Sequence, residues 1–162
     1  MTPGMEEVRA RFDRVAAGWD NNPARVALAK GVAEAIRKAV PITPDMSVLD
    51  FGAGTGLLTL GLLPYVSRIT AVDASGEMLK VLVGKLQTFE IQNVKTFHCD
   101  IGKDPLPEAE YSLVVSSMVL HHVADVPRTL MQLRRCLCPG GWIALADLDS
   151  CLLYTSPSPR DS

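Results

Sequence analysis

The chain is expected to fold as an open, doubly wound α/β domain with a mostly parallel sheet, and three observations carry that expectation. From Ser47 onward, short apolar runs alternate with helical patterns. The runs are nearly continuous in apolar residues rather than alternating, as suits strands covered on both faces. A glycine-rich turn joins the first run to the helical pattern that follows, at the end of the sheet where open α/β folds take their ligands.

Two helices are expected ahead of the sheet. Residues 5–19 read as a short helix, ended by Asp20, Asn21, Asn22 and Pro23. Asn22 is a good N-cap with Pro23 at the first helical position. The helix it opens carries Val26, Ala29, Ala33, Ile36 and Val40 at three- and four-residue steps, an apolar stripe. Pro41 and Pro44 stop it. The expected strands are Val48–Phe51, Ile69–Asp73, Val94–His98, Leu113–Ser116 and Trp142–Ala146, with helical patterns near 56–63, 76–88 and 125–137. The division that follows is an N-terminal helical cap over 1–44 and an α/β core over 45–150. No internal repeat is present.

Residues 151–161 break this pattern, because their prolines would interrupt the helix due after the last strand. The string resembles translated sequencing adapter. The expectation is that the native sequence stops near Ser150 and that 151–162 is a non-native tail; a natural Pro/Ser-rich tail is the alternative.

Bulk properties narrow the function. The 162 residues are 48% hydrophobic and 21% charged, with a formal net charge of −2. A sequence-independent nucleic-acid binder would need a basic face instead. No apolar run is long enough to span a membrane. The N-terminus carries Glu6, Glu7 and Asp13 and no apolar targeting segment. Cys99, Cys136, Cys138 and Cys151 do not fall at zinc-ligand spacing. A reduced, cytoplasmic setting is expected, without a metal.

The most informative string runs from Val48 to Gly56, a strand entering three glycines at alternate positions: Gly52, Gly54 and Gly56. Glycine there permits φ > 0 and lets a ligand lie against bare backbone. A dinucleotide fingerprint starting at Gly52 would require glycine where this chain has Leu57. Asp50, just before the loop, would repel a pyrophosphate but welcome an ammonium and a sulfonium. The charge logic therefore favours S-adenosylmethionine over NAD.

Asp73 ends the second strand, where a carboxylate can accept both ribose hydroxyls of an adenosyl group. Its alternative role is helix N-capping, for which Ser75 is better suited. Asp100, after the third strand, is expected near the same crevice, accepting from the adenine amino group, with Ile101 and Met78 covering the ring.

These motifs resemble those of class I methyltransferases. Val48–Gly56, Asp73, the run from Cys99 to Ile101, the strand from Leu113 to Ser117 with Leu120, His121, His122 and Val123, and the stretch from Leu137 to Trp142 occur in that family's order. The resemblance is to the small-molecule group similar to ubiquinone/menaquinone-biosynthesis methyltransferases. It covers roughly residues 8–148 and includes the opening run from Phe12 to Asp20, which in that group helps close over the cofactor. It implies a Rossmann-like fold that takes S-adenosylmethionine and methylates a small-molecule acceptor. By resemblance, Gly52, Gly54 and Gly56 face the methionine and ribose, Asp50 supports the amino group, Asp73 holds the ribose, and Asp100 with Ile101 holds the adenine. Ser116 or Ser117 sits close to the transferable methyl. The family continues past the fifth strand with a further helix and two strands. Without them, the Trp142–Ala146 strand is expected to be an exposed hydrophobic edge, and the chain to express poorly or methylate weakly.

Methyl transfer from a sulfonium is an in-line displacement that needs alignment more than a dedicated catalyst. If the acceptor must lose a proton, His121 or His122 is the candidate base. Neighbouring histidines usually diverge, so at most one is expected to face the site; the alternative is that both only shape the turn. Phe12 and Trp19 either line a substrate lid or pack the first helix on the domain. An NAD-type oxidoreductase and a non-catalytic adenosyl-binding module are the rival functions.

Overall fold

The structure, a computed structural model, describes residues 4–100, 104–106 and 111–148. Ile101 and the 151–162 tail lie outside the described residues.

The first helix, α1 (Met5–Val15), has Glu6 and Glu7 in its first turn, where carboxylates complement the helix dipole. The helix expected over 5–19 does not run through. It tightens into a 3-10 turn over Ala16–Asn21, a stretch whose Gly18, Asp20 and Asn21 are poor α-helix formers. Helix α2 (Pro23–Ala39) begins as its sequence dictates, with Asn22 Oδ1 accepting from the Ala24 N–H at 3.0 Å. Ala33, Ile36 and Val40 are buried as predicted, but Val26 is not: it is 40% exposed. The first turns of α2 run along the mouth of a cavity that Arg25, Leu28 and Ala29 line, and only its second half lies on the sheet.

The sheet follows as β1 (Ser47–Phe51), α3 (Leu57–Leu62), β2 (Arg68–Asp73), α4 (Gly76–Thr88), β3 (Val94–His98), β4 (Tyr111–Ser117), α5 (Val126–Arg135) and β5 (Leu137–Ala146). Its strand order is β3-β2-β1-β4-β5 and every pairing is parallel. The order reverses between β1 and β4, so the carboxyl ends of those two strands open a crevice. Ser75 and Asp125 cap α4 and α5, accepting from the N–H groups of Met78 and Arg128.

Both faces of the sheet are covered. Val48, Leu62, Ile69, Leu82, Leu113 and Val115 pack beneath α2, α3 and α4. Leu49, Phe51, Val72, Val114 and Leu133 pack on the α5 side. β1 is buried at every residue, as a central strand must be. β3 departs from the expectation of a fully covered strand, because it forms one edge of the sheet and leaves Phe97 45% exposed. β5 forms the other edge. Its pairing with β4 starts at Leu137 opposite Tyr111 and resumes at Trp142 opposite Leu113. Pro139, Gly140 and Gly141 make the intervening bulge, with Gly140 at φ 80°. Trp142 and Leu145 are exposed on β5, and no strand among the described residues pairs with its outer edge.

Candidate active site

A cavity of about 480 Å³ lies at the crevice, between the strand ends and the N-terminal helices. Its floor is the glycine loop, whose three glycines do different work. Gly52 lines the cavity at φ 76°, and a Cβ there would stand 2.2 Å from Val119 Cγ2. Gly54 also lines it, and a Cβ there would meet only Met78 Sδ at 3.9 Å. Gly54 is thus the bare backbone against which a ligand can rest. Gly56 departs from its predicted role. It is absent from the cavity wall, and its Cβ would stand 2.3 Å from Leu82 Cδ1, so it serves the packing of α3 on α4.

Four of the loop's N–H groups are already engaged. Those of Gly52 and Ala53 donate to the Val72 carbonyl at 2.8 and 2.9 Å, and that of Gly56 to Ala53 at 2.9 Å. The Gly54 N–H donates to Asp73 Oδ2 at 2.8 Å. A phosphate cradle needs such donors free.

Two carboxylates face the same space. Asp50 is 1% exposed and lines the cavity from the end of β1, its Oδ2 accepting from Thr59 Oγ1 at 2.5 Å. Burial pushes its carboxyl up to about 7, against the Thr59 hydroxyl and with the repulsion of Asp73. Asp73 accepts from Gly54 through Oδ2 and from the Ser75 N–H through Oδ1 at 2.8 Å. Burial raises its pKa too, while the Ser75 and Gly54 N–H groups oppose the shift. Asp73 therefore braces the loop, and Ser75 rather than Asp73 caps α4. Each Asp73 oxygen retains a second lone pair for a ligand hydroxyl. Met78, 2% exposed, forms part of the same wall.

The other predicted positions divide. Ser116 does not reach the cavity, because its hydroxyl donates to the Phe51 carbonyl at 2.8 Å and ties β4 to β1. Ser117, one residue on, points to the opposite face and lines the cavity. Asp100 is also outside the lining residues, at the rim, where Arg9 Nη1 lies 3.8 Å from its Oδ2. His121 and His122 do not diverge. Both line the cavity, with ring centroids 3.9 Å apart. The chain reaches them through Met118, whose φ of 61° is strained for a side chain without local hydrogen bonding.

The N-terminal segment forms the roof. Phe12 packs tilted at 5.7 Å from Trp19 and edge-on at 5.3 Å from His122, and the Arg25 guanidinium lies 3.7 Å over the Trp19 ring. Phe12 and Trp19 thus line the cavity and pack on each other at once. Polar contacts hold this roof down. Ser75 Oγ donates to Asp13, and Asp20 accepts from Thr55 Oγ1 at 2.6 Å and pairs with Lys85 Nζ at 2.5 Å. Lys85 also donates to the Thr55 carbonyl at 2.8 Å.

Sequence reasoning missed Thr59, the Asp20–Lys85 pair and Asp147. The Asp20–Lys85 pair bridges distant segments and leaves no local signal, and Thr59 reaches Asp50 only once the glycine loop has folded back. Asp147 did leave one: like Asp73, it is an acid at the end of an apolar run. Its Oδ1 meets His121 Nδ1 at 2.5 Å.

The profile of the family described as "Methyltransferase domain" matches residues 49–145. The chain belongs to that methyltransferase family. Among its relatives, the uncharacterized methyltransferase Mb0092 of Mycobacterium bovis is 34% identical over 115 residues, which is 70% of this chain and 53% of that protein. The demethylmenaquinone methyltransferase of Tropheryma whipplei is 26% identical over 156 residues, 95% of this chain and 64% of that protein. Among solved structures, the DhpI–SAH complex superposes with a TM-score of 0.77 at 23% identity, over 97% of this chain and 75% of DhpI. That likeness shows the shared fold. The chain spans 53 to 64% of the length of these two curated relatives. No helix among the described residues is long and apolar enough to cross a membrane.

Proposed function

We propose that this domain binds S-adenosylmethionine and transfers its methyl group to a small-molecule acceptor. The observation that carries the reading is the state of the glycine loop. Its N–H groups at Gly52, Ala53 and Gly54 are spent on the Val72 carbonyl and the Asp73 carboxylate, while Gly54 presents open backbone between Asp50 and Asp73. Two carboxylates beside a loop whose N–H groups at Gly52, Ala53 and Gly54 are already spent suit a cationic adenosyl compound and disfavour a pyrophosphate. Membership of the methyltransferase family supports the same reading.

In this proposal Asp50 meets the amino group and Asp73 the ribose hydroxyls. Gly52 and Gly54 bound the methionine and ribose portion. Met78 covers one face of the adenine, with Asp100 and Ile101 assigned to its edge. Arg25, half-buried on the cavity wall, supplies the cation that the methionine carboxylate needs. Ser117 replaces Ser116 beside the transferable methyl. The bound sulfonium supplies an electrophilic methyl and a good leaving group. The residues of the chain bind, align and exclude water, and correct positioning is worth on the order of 7–11 kcal/mol. The roof of Phe12 and Trp19 closes the acceptor's side of the cavity. The division into a helical cap over 1–44 and a core over 45–150 belongs to this proposal, as do a small-molecule rather than nucleic-acid partner and a cytoplasmic location. Cys99, Cys136 and Cys138 are free thiols, which suits a reducing compartment.

Calorimetric titration of the full chain tests the reading. S-adenosylhomocysteine is expected to bind with a micromolar dissociation constant or tighter, and NADH at least about a hundredfold more weakly, a difference of about 2.7 kcal/mol. Preference for NADH would refute the assignment. Tight binding of S-adenosylhomocysteine with no turnover on any phenol, amine or carboxylate would favour a non-catalytic module.

A further inference from the structure

We propose that His121 and Asp147 form a proton-holding pair at the acceptor end of the cavity, and that the acceptor is a molecule whose attacking atom arrives protonated, a hydroxyl or an ammonium. The inference rests on the methyl-transfer reading and deepens it.

Asp147, just past the end of β5, grips His121 at two points. Its Oδ1 meets the ring Nδ1 at 2.5 Å and its Oδ2 accepts from the backbone N–H of His121 at 3.3 Å. The N–H of Leu148 donates to Oδ1 at 2.7 Å. Against the effect of its burial, the Leu148 N–H and the His121 ring hold Asp147 below the usual carboxylate range. An ionised carboxylate only accepts, so Nδ1 carries the proton and Nε2 carries a lone pair. His121 itself lines the cavity, as do Ser117 and the roof residues Phe12 and Trp19.

Of the groups around the pair, Asp147 follows β5, His122 comes from the same turn and Arg11 from α1. His122 is held below its ordinary value first by burial, then by His121 and Arg11. Of the two rings, His121 is the one hydrogen-bonded to the Asp147 carboxylate. The fold thus provides a site that stabilises one incoming proton.

That device is needed by some acceptors and useless to others. A phenol or alcohol must lose a proton as it attacks, and an ammonium must lose one before it attacks, because only then does nitrogen hold a lone pair. The lone pair of the oxygen or of the freed nitrogen forms the new bond to the methyl carbon while the carbon–sulfur bond breaks with its electron pair left on sulfur. The proton passes to Nε2 of His121, and the resulting imidazolium faces Asp147. A carboxylate attacks already ionised and makes no use of the pair. Asp147 is then a positioning residue acting through His121.

The test uses the full chain, methyl-labelled S-adenosylmethionine, and two acceptors of contrasting state, catechol and benzoate. His121→Asn and Asp147→Asn are expected to bind S-adenosylhomocysteine within about twofold of the unchanged chain. Each is expected to lower kcat on catechol by about a hundredfold with little change in KM, and to remove the low-pH limb of its rate profile. Rates on benzoate should stay within about threefold. Equal losses on both acceptors, or no loss on catechol, would overturn the proposal. The 15N spectrum of the His121 ring is an independent readout that needs no turnover. An Nδ1-protonated ring near neutral pH is expected, and an Nε2-protonated one would overturn the pair even if neither acceptor is methylated. Failure of the unchanged chain to bind S-adenosylhomocysteine would instead remove the methyl-transfer reading.

Discussion

Replacing Gly56 with alanine separates a folding glycine from a ligand-binding one. Gly56 stands at φ 84°, and an added Cβ would lie 2.3 Å from Leu82 Cδ1 and 3.2 Å from its Cγ. Leu82 is fully buried, so it has no free space into which to swing. The left-handed backbone costs about 1–2 kcal/mol for a residue with a Cβ, and overpacking adds about 1–3 kcal/mol. Gly56→Ala should therefore lose roughly 2–5 kcal/mol of stability. With a urea slope of about 2 kcal/mol/M for a domain of this size, the unfolding midpoint falls by roughly 1–2.5 M. Far-ultraviolet circular dichroism and tryptophan fluorescence both report it. A second substitution fixes the cause. Leu82→Val alone should cost about 1 kcal/mol. Combined with Gly56→Ala, it should cost less than the sum by about 1 kcal/mol or more, because the clash is partly relieved. An unchanged midpoint for Gly56→Ala, or strict additivity in the double variant, would refute the packing role.

The companion substitution Gly54→Ala meets only Met78 Sδ at 3.9 Å. It should cost about 1–2 kcal/mol of stability yet weaken S-adenosylhomocysteine binding by at least about tenfold, as read by calorimetry. Asp50 ionises near its ordinary 3.8 when unfolded but holds its proton to about 7 when folded. Stability should accordingly fall as pH rises from about 4 to about 7 and level off above. The total is on the order of 4 kcal/mol, and Asp50→Asn should flatten the slope in pH-dependent urea melts. Because an ammonium favours the ionised Asp50, S-adenosylhomocysteine affinity should rise about tenfold between pH 6 and pH 8; a flat profile would exclude that contact. Ser116→Ala removes a buried hydrogen bond to the Phe51 carbonyl and should lower stability by about 1–3 kcal/mol. Cofactor affinity should stay unchanged, since Ser117 is the residue at the cavity. Asp20→Ala breaks the contacts to Thr55 and Lys85 that hold the roof. Faster proteolytic cleavage near residues 16–22 and faster release of S-adenosylhomocysteine are expected, the latter by stopped-flow fluorescence.

By itself, the sequence determined whatever is written in a single stretch of chain. The limits of β3 and α4 match the predicted 94–98 and 76–88, because a short strand-forming run and a Ser75 cap are local facts. The acid-and-glycine string from Asp50 to Gly56 likewise marked the loop at the floor of the cavity, since the turn it makes is fixed by neighbouring φ angles. What lay beyond reach was the use of each group once distant segments met. Gly54 and Gly56 read alike in the sequence, yet one opens on the cavity and the other on Leu82. Adjacent serines at 116 and 117 differ only in which face of the pleat they take, and pairing with β1 and β5 sets that face. The helix over 5–19 shortened, and Val26 left the buried stripe, because the N-terminal segment covers a cavity rather than a core. The grip of Asp147 on His121 and the raised pKa of Asp50 are likewise tertiary. Both depend on burial and on partners that reach them only when the sheet is assembled.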